Sequence, residues 1–274
     1  MLLLLKLSLS PLLVALVTLA GRRWGNRASG VLTSLPVSTG PVLLFFAIEQ
    51  GEGFAANASV AALAGLASSA AFFLTYAWVA TRRGWVTALL LATLTYALLT
   101  ALLMGIPLGA ESALLLALAS FALAHWLLPR QQAQTLAGVA VAVAVARFDL
   151  PLRMLAAMTL TLVLTGLAQL LGPQLSGLLT PFPVATSVLA SFILAQQGKA
   201  GAIAFMRALT GTMYGFCLFC YVLALAFEPL GIAAAFALAL SLQLVFNALI
   251  YLASRRFASY RAERAPGIKR RKPA

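Results

Sequence analysis

The chain has 274 residues, 62% of them apolar and only 9% charged, with a mean hydropathy of +1.00 and a formal net charge of +13. A globule of this size needs a polar surface, so the composition excludes a soluble domain. The apolar residues come in runs of about 20, the length that crosses ~30 Å of hydrocarbon as a helix, and alternating strands are missing, which excludes a membrane barrel.

In chain order, the first run covers 2–20 and contains Lys6. It lacks the basic start and small-residue cleavage site of a secretory signal, so we read it as a retained first span. Arg22, Arg23 and Arg27 follow, and then spans at about 29–49, 57–80, 85–104 and 111–128, the last carrying His125 and Trp126 near its end. The segment 136–146 is short for a crossing and is either an interfacial helix or a tenth span. Further spans run at about 150–171, 176–195, 202–226 and 231–253.

The second half repeats the first. Shifted by 147 positions without a gap, residues 25–51 fall on 172–198 with eleven of 27 positions identical. Most of the matches are Gly, Pro, Ser, Thr and Gln, not the Ala and Leu that chance would favour in this chain. Spans one to four superpose on six to nine, so the fifth is a connector. With nine spans and the N-terminus outside, Lys6 is the one cation of 19 that falls outside, whereas ten spans leave six on the wrong side. The expected fold is therefore an all-α polytopic membrane protein: nine transmembrane helices as two inverted four-helix repeats joined by a connector helix, with ten helices as the alternative. Its parts are a first repeat (1–105), a connector and cytoplasmic or interfacial segment (106–149), a second repeat (150–253) and a basic tail (254–274).

The segments opening spans two and seven share the pattern G-x-x-x-S-G-[LV]-L-T-x-[LF]-P, at Gly25–Pro36 and Gly172–Pro183. With Lys6, Gly30 and Pro36 in the first copy and Arg153, Gly177, Leu178, Phe182 and Pro183 in the second, each half resembles the GlpM-type small bacterial inner-membrane proteins, which have a single four-helix unit. The resemblance implies an inner-membrane protein linked to envelope or alginate-type polysaccharide production, with no established reaction. Being a fused pair, this chain departs from that pattern, so the family's assembly state does not carry over.

In each copy hydroxyls and a proline recur at helical spacing: Ser29, Thr33 and Pro36, then Ser176, Thr180 and Pro183, with Thr39 and Thr186 following. A proline inside a helix strands a carbonyl one turn earlier and bends or opens the helix. Two symmetry-related broken helices beside hydroxyls point to a substrate site at the repeat interface; the same residues also suit tight kinked packing. Lys6 and Arg153 occupy equivalent positions, where each either snorkels to the headgroups or faces inward toward an anionic group. Arg207 is a third such cation. Tyr96 and Thr100 match Gln243 and Asn247, on faces suited to interhelical hydrogen bonding or to lining a pathway.

Cys217 and Cys220 read as small hydrophobes on one helix face, and His125 as an interfacial residue. Paired carboxylates, nucleophile–base sets, metal clusters and phosphate loops are missing, so no enzyme, cofactor or metal is expected. The tail, with eight cations and one acid, reads as an anchor to anionic lipid headgroups and not as a nucleic-acid site. A homodimer or an envelope-biosynthesis partner stays open. The expected function is a secondary transporter or flippase-like carrier of a small envelope-related solute, an anion among the candidates; the alternative is a non-transporting accessory protein of exopolysaccharide synthesis. The expected location is the bacterial inner membrane, N-terminus outside and C-terminus cytoplasmic.

Overall fold

A computed structural model of the chain describes residues 4–17, 19, 36–129 and 149–264. Ser29 and Thr33, together with the segment 136–146, lie outside the described residues. Within them the chain is helical without strands: α1 (Leu4–Val17), α2 (Thr39–Gln50), α3 (Glu52–Ala80), α4 (Trp85–Leu103), α5 (Ala110–Leu127), α6 (Asp149–Gly166), α7 (Ala168–Leu179) and α8 (Val184–Arg264). Four of these, α3, α4, α5 and the stretch Val184–Ile250 of α8, are long and apolar enough to cross a membrane.

The breaks are set by glycine and proline. Inside α8 the backbone leaves the helix at Gly198 (φ 74°) and Gly231 (φ 75°), and inside α7 at Gly172 (φ 68°). We therefore describe α8 as pieces 184–197, 199–230 and 232–264, and the end of α7 as the half-helix 173–179. Gly51, between α2 and α3, has φ 92° and stands 147 positions before Gly198. These angles lie in the left-handed region, where a Cβ is strained, so glycine is what lets the chain turn there.

The two expected continuous spans at 29–49 and 176–195 need correction. Pro36, Val37 and Ser38 are not helical and α2 begins only at Thr39, while the seventh span is split between residues 179 and 184. Proline is the reason. Pro36 directly precedes the non-helical Val37 and Ser38, and Pro181 and Pro183 lack the N–H donors that would close helical turns on the carbonyls of Gly177 and Leu179. In the second copy Ser176 and Thr180 consequently do not share one unbroken helix face with Thr186. The third span also starts earlier than expected, at Glu52.

α3 is the axis of the molecule and packs against α2, α4, α5, α7 and α8. It is Ala-, Ser- and Gly-rich, with nineteen of its 29 residues buried. Small side chains let other backbones approach closely, the usual basis of helix association where lipid removes the hydrophobic drive. The tightest crossing is with the half-helix 173–179. A Cβ on Gly177 would collide with the carbonyl of Ala58 and the side chain of Ala61, and one on Gly65 would collide with the carbonyl of Leu178 and with Pro181. By contrast α4 turns Leu90, Leu94 and Leu98 outward, each more than half exposed, as a lipid-facing stripe.

Candidate functional site

The most heavily bonded polar feature is the break at 179–184. Its carbonyls can be followed one by one. Those of Gly177 and Leu179 are met locally, by the Thr180 N–H at 3.1 Å and the Phe182 N–H at 3.1 Å. The carbonyl of Leu178, whose ordinary donor Phe182 N–H is diverted, accepts the Tyr96 hydroxyl from α4 at 2.7 Å. The carbonyl of Thr180 accepts Thr39 Oγ1 at 3.3 Å, because the Val184 N–H turns to Phe182 instead. The carbonyl of Pro181 accepts Ser69 Oγ from α3 at 2.8 Å. In hydrocarbon every backbone polar group needs an internal partner, and here three neighbouring helices supply them.

The ring of Phe182 fills the gap that the break leaves. It stands edge-on to Tyr96 (centroids 4.9 Å, 76°) and to Phe72 (6.2 Å, 82°). Tyr96 is thus held twice, by its hydroxyl on Leu178 and by its ring on Phe182.

The expected site residues are brought together only in part. Thr39, at the first turn of α2, meets the second break directly, so the segment after Pro36 touches the segment before Pro183. Pro36 and Pro183 are buried on their respective sides of this contact. Thr180 is fully buried and turns its own hydroxyl back onto the Ser176 carbonyl at 2.7 Å. Ser176 is likewise buried, and among the described residues its Oγ has no hydrogen-bond partner. Thr186 is half-buried on the first turn of α8.

Lys6 lies elsewhere. Its Nζ pairs with Glu49 at 2.6 Å and sits 5.8 Å from the Phe45 ring centroid. Glu49 is ten residues beyond Thr39 on α2, about 15 Å of helix from the break. Lys6 therefore neither snorkels freely nor faces the break, since its charge is taken up by a carboxylate. Arg153 is half-buried on the first turns of α6.

Arg207 has a structural task that sequence reasoning missed. Its guanidinium donates to the carbonyls of Leu128 (2.9 Å) and Pro129 (3.1 Å), capping the C-terminal end of α5, where the helix dipole favours a cation. Trp78 Nε1 adds a bond to the Leu127 carbonyl at 3.0 Å, and His125 Nδ1 lies 3.2 Å from Thr210 Oγ1. Ser69 and Glu49 were also missed. A hydroxyl deep in an apolar span and an acid at the end of another were the available signals.

Next to the break, a cavity of about 270 Å³ lies between α3, the 104–109 turn and the half-helix 173–179. Ala61, Ala64 and Leu178 line it together with the amide side chains of Asn57 and Gln174. Compared with protein-family models, curated proteins and solved structures, the chain finds no match.

Proposed function

We propose that the protein is a membrane carrier, a secondary transporter or flippase-like protein for a small envelope-related solute, working where its two proline segments meet. The observation that carries this reading is the hydrogen bond from Thr39 to the Thr180 carbonyl, which joins the start of α2, just after Pro36, to the break of the second copy. Discontinuous helices that meet near mid-membrane are a recurrent plan for solute sites in inverted-repeat carriers. The step from architecture to transport is an analogy.

The contacts fit the grouping of span ends onto two faces that nine spans require; the orientation, N-terminus outside, rests on the distribution of Lys and Arg alone. Lys6 with Glu49, Gln174 with the Met104 carbonyl at 2.8 Å, Trp78 with Leu127 and Arg207 with Leu128 each link residues assigned to the same face. Gly51 and Gly198, repeat partners in sequence, share a positive φ. The GlpM-type resemblance of the two motif copies favours a bacterial inner membrane and an envelope-related role.

The test is flux in proteoliposomes, using small organic anions and a fluorescent phospholipid as probes. Thr39→Val and Thr180→Val should slow movement of the transported probe at least fivefold in folded protein. Unchanged flux in both would remove the break as the site. A second reading, a non-transporting accessory protein, is favoured by one observation: the Tyr96, Ser69 and Thr39 hydroxyls are all engaged on backbone carbonyls, as a purely structural kink requires. It predicts stable co-purification with an envelope enzyme and no flux of any probe.

A further inference from the structure

Arg207 is a half-buried cation in an apolar stretch, eight residues beyond Lys199 and thus about 12 Å along the piece 199–230. Among the described residues no carboxylate pairs with it, in contrast to Lys6 with Glu49. Its partners are backbone carbonyls. Nη2 reaches those of Leu128 at 2.9 Å and Pro129 at 3.1 Å, and Nη1 is 3.5 Å from that of His125. A helix C-terminus presents about half an elementary charge, so part of the positive charge stays uncompensated. Of the five guanidinium N–H donors, Nε–H and one on Nη1 are left for a ligand.

More cations and two indoles adjoin the same helix end. Trp78 Nε1 donates to the Leu127 carbonyl at 3.0 Å, the neighbour of the one that Arg207 takes. After Ala80 the chain turns, with the N–H groups of Thr81, Arg82 and Arg83 bonded back to the carbonyls of Trp78 and Val79. Arg82 and Arg83 therefore follow within five residues of that indole. Both are exposed, and neither makes an ion pair among the described residues. Trp126 is 71% exposed and Trp78 50%. Exposed indoles at helix ends suit headgroup depth, where one edge of the ring is apolar and the other wet. Guanidinium groups match phosphate oxygens, and basic sites between helices at a membrane surface take anionic headgroups.

We propose that Arg207 and the adjoining ends of α3 and α5 form a binding site for the phosphate of an anionic phospholipid headgroup. Arg207 donates its remaining N–H groups to the phosphate, and Arg82 and Arg83 add charge around it. Trp78 and Trp126 pack beside the glycerol and the first carbons of the chains. A free phosphate would offer the same oxygens, but it has nothing to place against two exposed indoles. The site is separate from the basic tail, and it does not depend on whether the protein moves a solute.

The test is native mass spectrometry of the full chain in neutral detergent, offered equal amounts of phosphatidylglycerol and phosphatidylcholine with the same acyl chains. Every sample carries Lys269→Gln, Arg270→Gln, Arg271→Gln and Lys272→Gln, so that the tail competes less. Phosphatidylglycerol should be retained at least fivefold over phosphatidylcholine, whose headgroup carries its own cation. Arg207→Gln should cut that preference at least fivefold. Arg207→Lys should keep at least half of it while the thermal midpoint recovers only in part, a separation that a purely structural arginine would not produce. If Arg207→Gln does not elute as folded protein, Arg82→Gln combined with Arg83→Gln, both exposed, should cut the preference at least threefold. Equal retention of the two lipids, or a preference that these variants leave unchanged, overturns the proposal. So does displacement of phosphatidylglycerol by millimolar inorganic phosphate, which would assign the site to the free anion. A flux assay that fails while the lipid preference holds would sink the carrier reading alone.

Discussion

Tyr96→Phe tests the account of the proline break most directly. The substitution keeps the ring against Phe182, 4.9 Å between centroids, and removes only the hydroxyl that meets the Leu178 carbonyl at 2.7 Å. No cavity opens, so the large term of a Tyr→Ala change, about 3–5 kcal/mol for an aromatic truncation, is absent. What remains is one interhelical hydrogen bond, ~0.6 kcal/mol on average in membranes and up to ~1.7. Added to it is a share of the ~1–3 kcal/mol that an unpaired buried carbonyl costs. Leu178 is only 1% exposed, so water offers that carbonyl no ready substitute. We expect about 1–1.5 kcal/mol of destabilisation, a roughly five- to tenfold shift of the unfolding equilibrium. Reversible unfolding in mixed micelles measures it. Thr159→Val serves as control: Thr159 is outward-facing and bonds only within its own helix, to the Leu155 carbonyl, so its effect should stay within about 0.5 kcal/mol. Equal stability of wild type and Tyr96→Phe would refute the argument that this carbonyl depends on α4.

Three further outcomes follow from the packing and the charges. Gly177→Ala should prevent proper assembly, because its Cβ meets the Ala58 backbone, whereas Gly211→Ala, with open space around it, should be neutral or stabilise by roughly 0.4–1 kcal/mol; yield of monodisperse protein and thermal midpoints separate the two. Lys6→Met or Glu49→Met alone should each destabilise more than the two combined, because a single change strands a mostly buried charge; a double-mutant cycle that adds up without coupling would sink this. Arg207→Gln should lower the thermal midpoint and expose the 125–129 end of α5 to proteolysis, with Arg207→Lys restoring only part, since one ammonium cannot stand in both for Nη2, which reaches the Leu128 and Pro129 carbonyls, and for Nη1, 3.5 Å from the His125 carbonyl.

The helical membrane class was legible because it rests on composition, and a disturbance at Pro36 and Pro183 was legible because they interrupt apolar runs, although the spans were still drawn as continuous. The partners of those breaks were not. α3 is small and apolar on all sides, so no face of it announces which helix it meets or that Ser69 points at Pro181. Tyr96 could be assigned to an interhelical bond but not to a backbone carbonyl 82 positions away. The pairing of Lys6 with Glu49 was within reach, since the topology expected from the charges puts both at one face. The reach of Arg207 to α5 was not, because C-terminal capping from another helix leaves no local pattern. Pro181, which stands where the first copy has Ser34, was in plain view. With Pro183 it keeps the segment 180–183 out of the helix, and the carbonyls of Leu178, Thr180 and Pro181 then take donors from outside.

That asymmetry has a consequence for how the two sequence halves relate. Every outside donor at the second break, Thr39, Ser69 and Tyr96, comes from the first half, and every carbonyl they meet lies between residues 178 and 181. The half-helix that carries those carbonyls is pressed onto α3 through Gly177 and Gly65, also across the halves. A fragment beginning near residue 150 would leave three carbonyls without donors in hydrocarbon and expose a glycine-lined face with nothing to cover it. The first half thus completes the hydrogen bonding of the second, and a relative shift of the halves would have to pass through the Thr39–Thr180 contact.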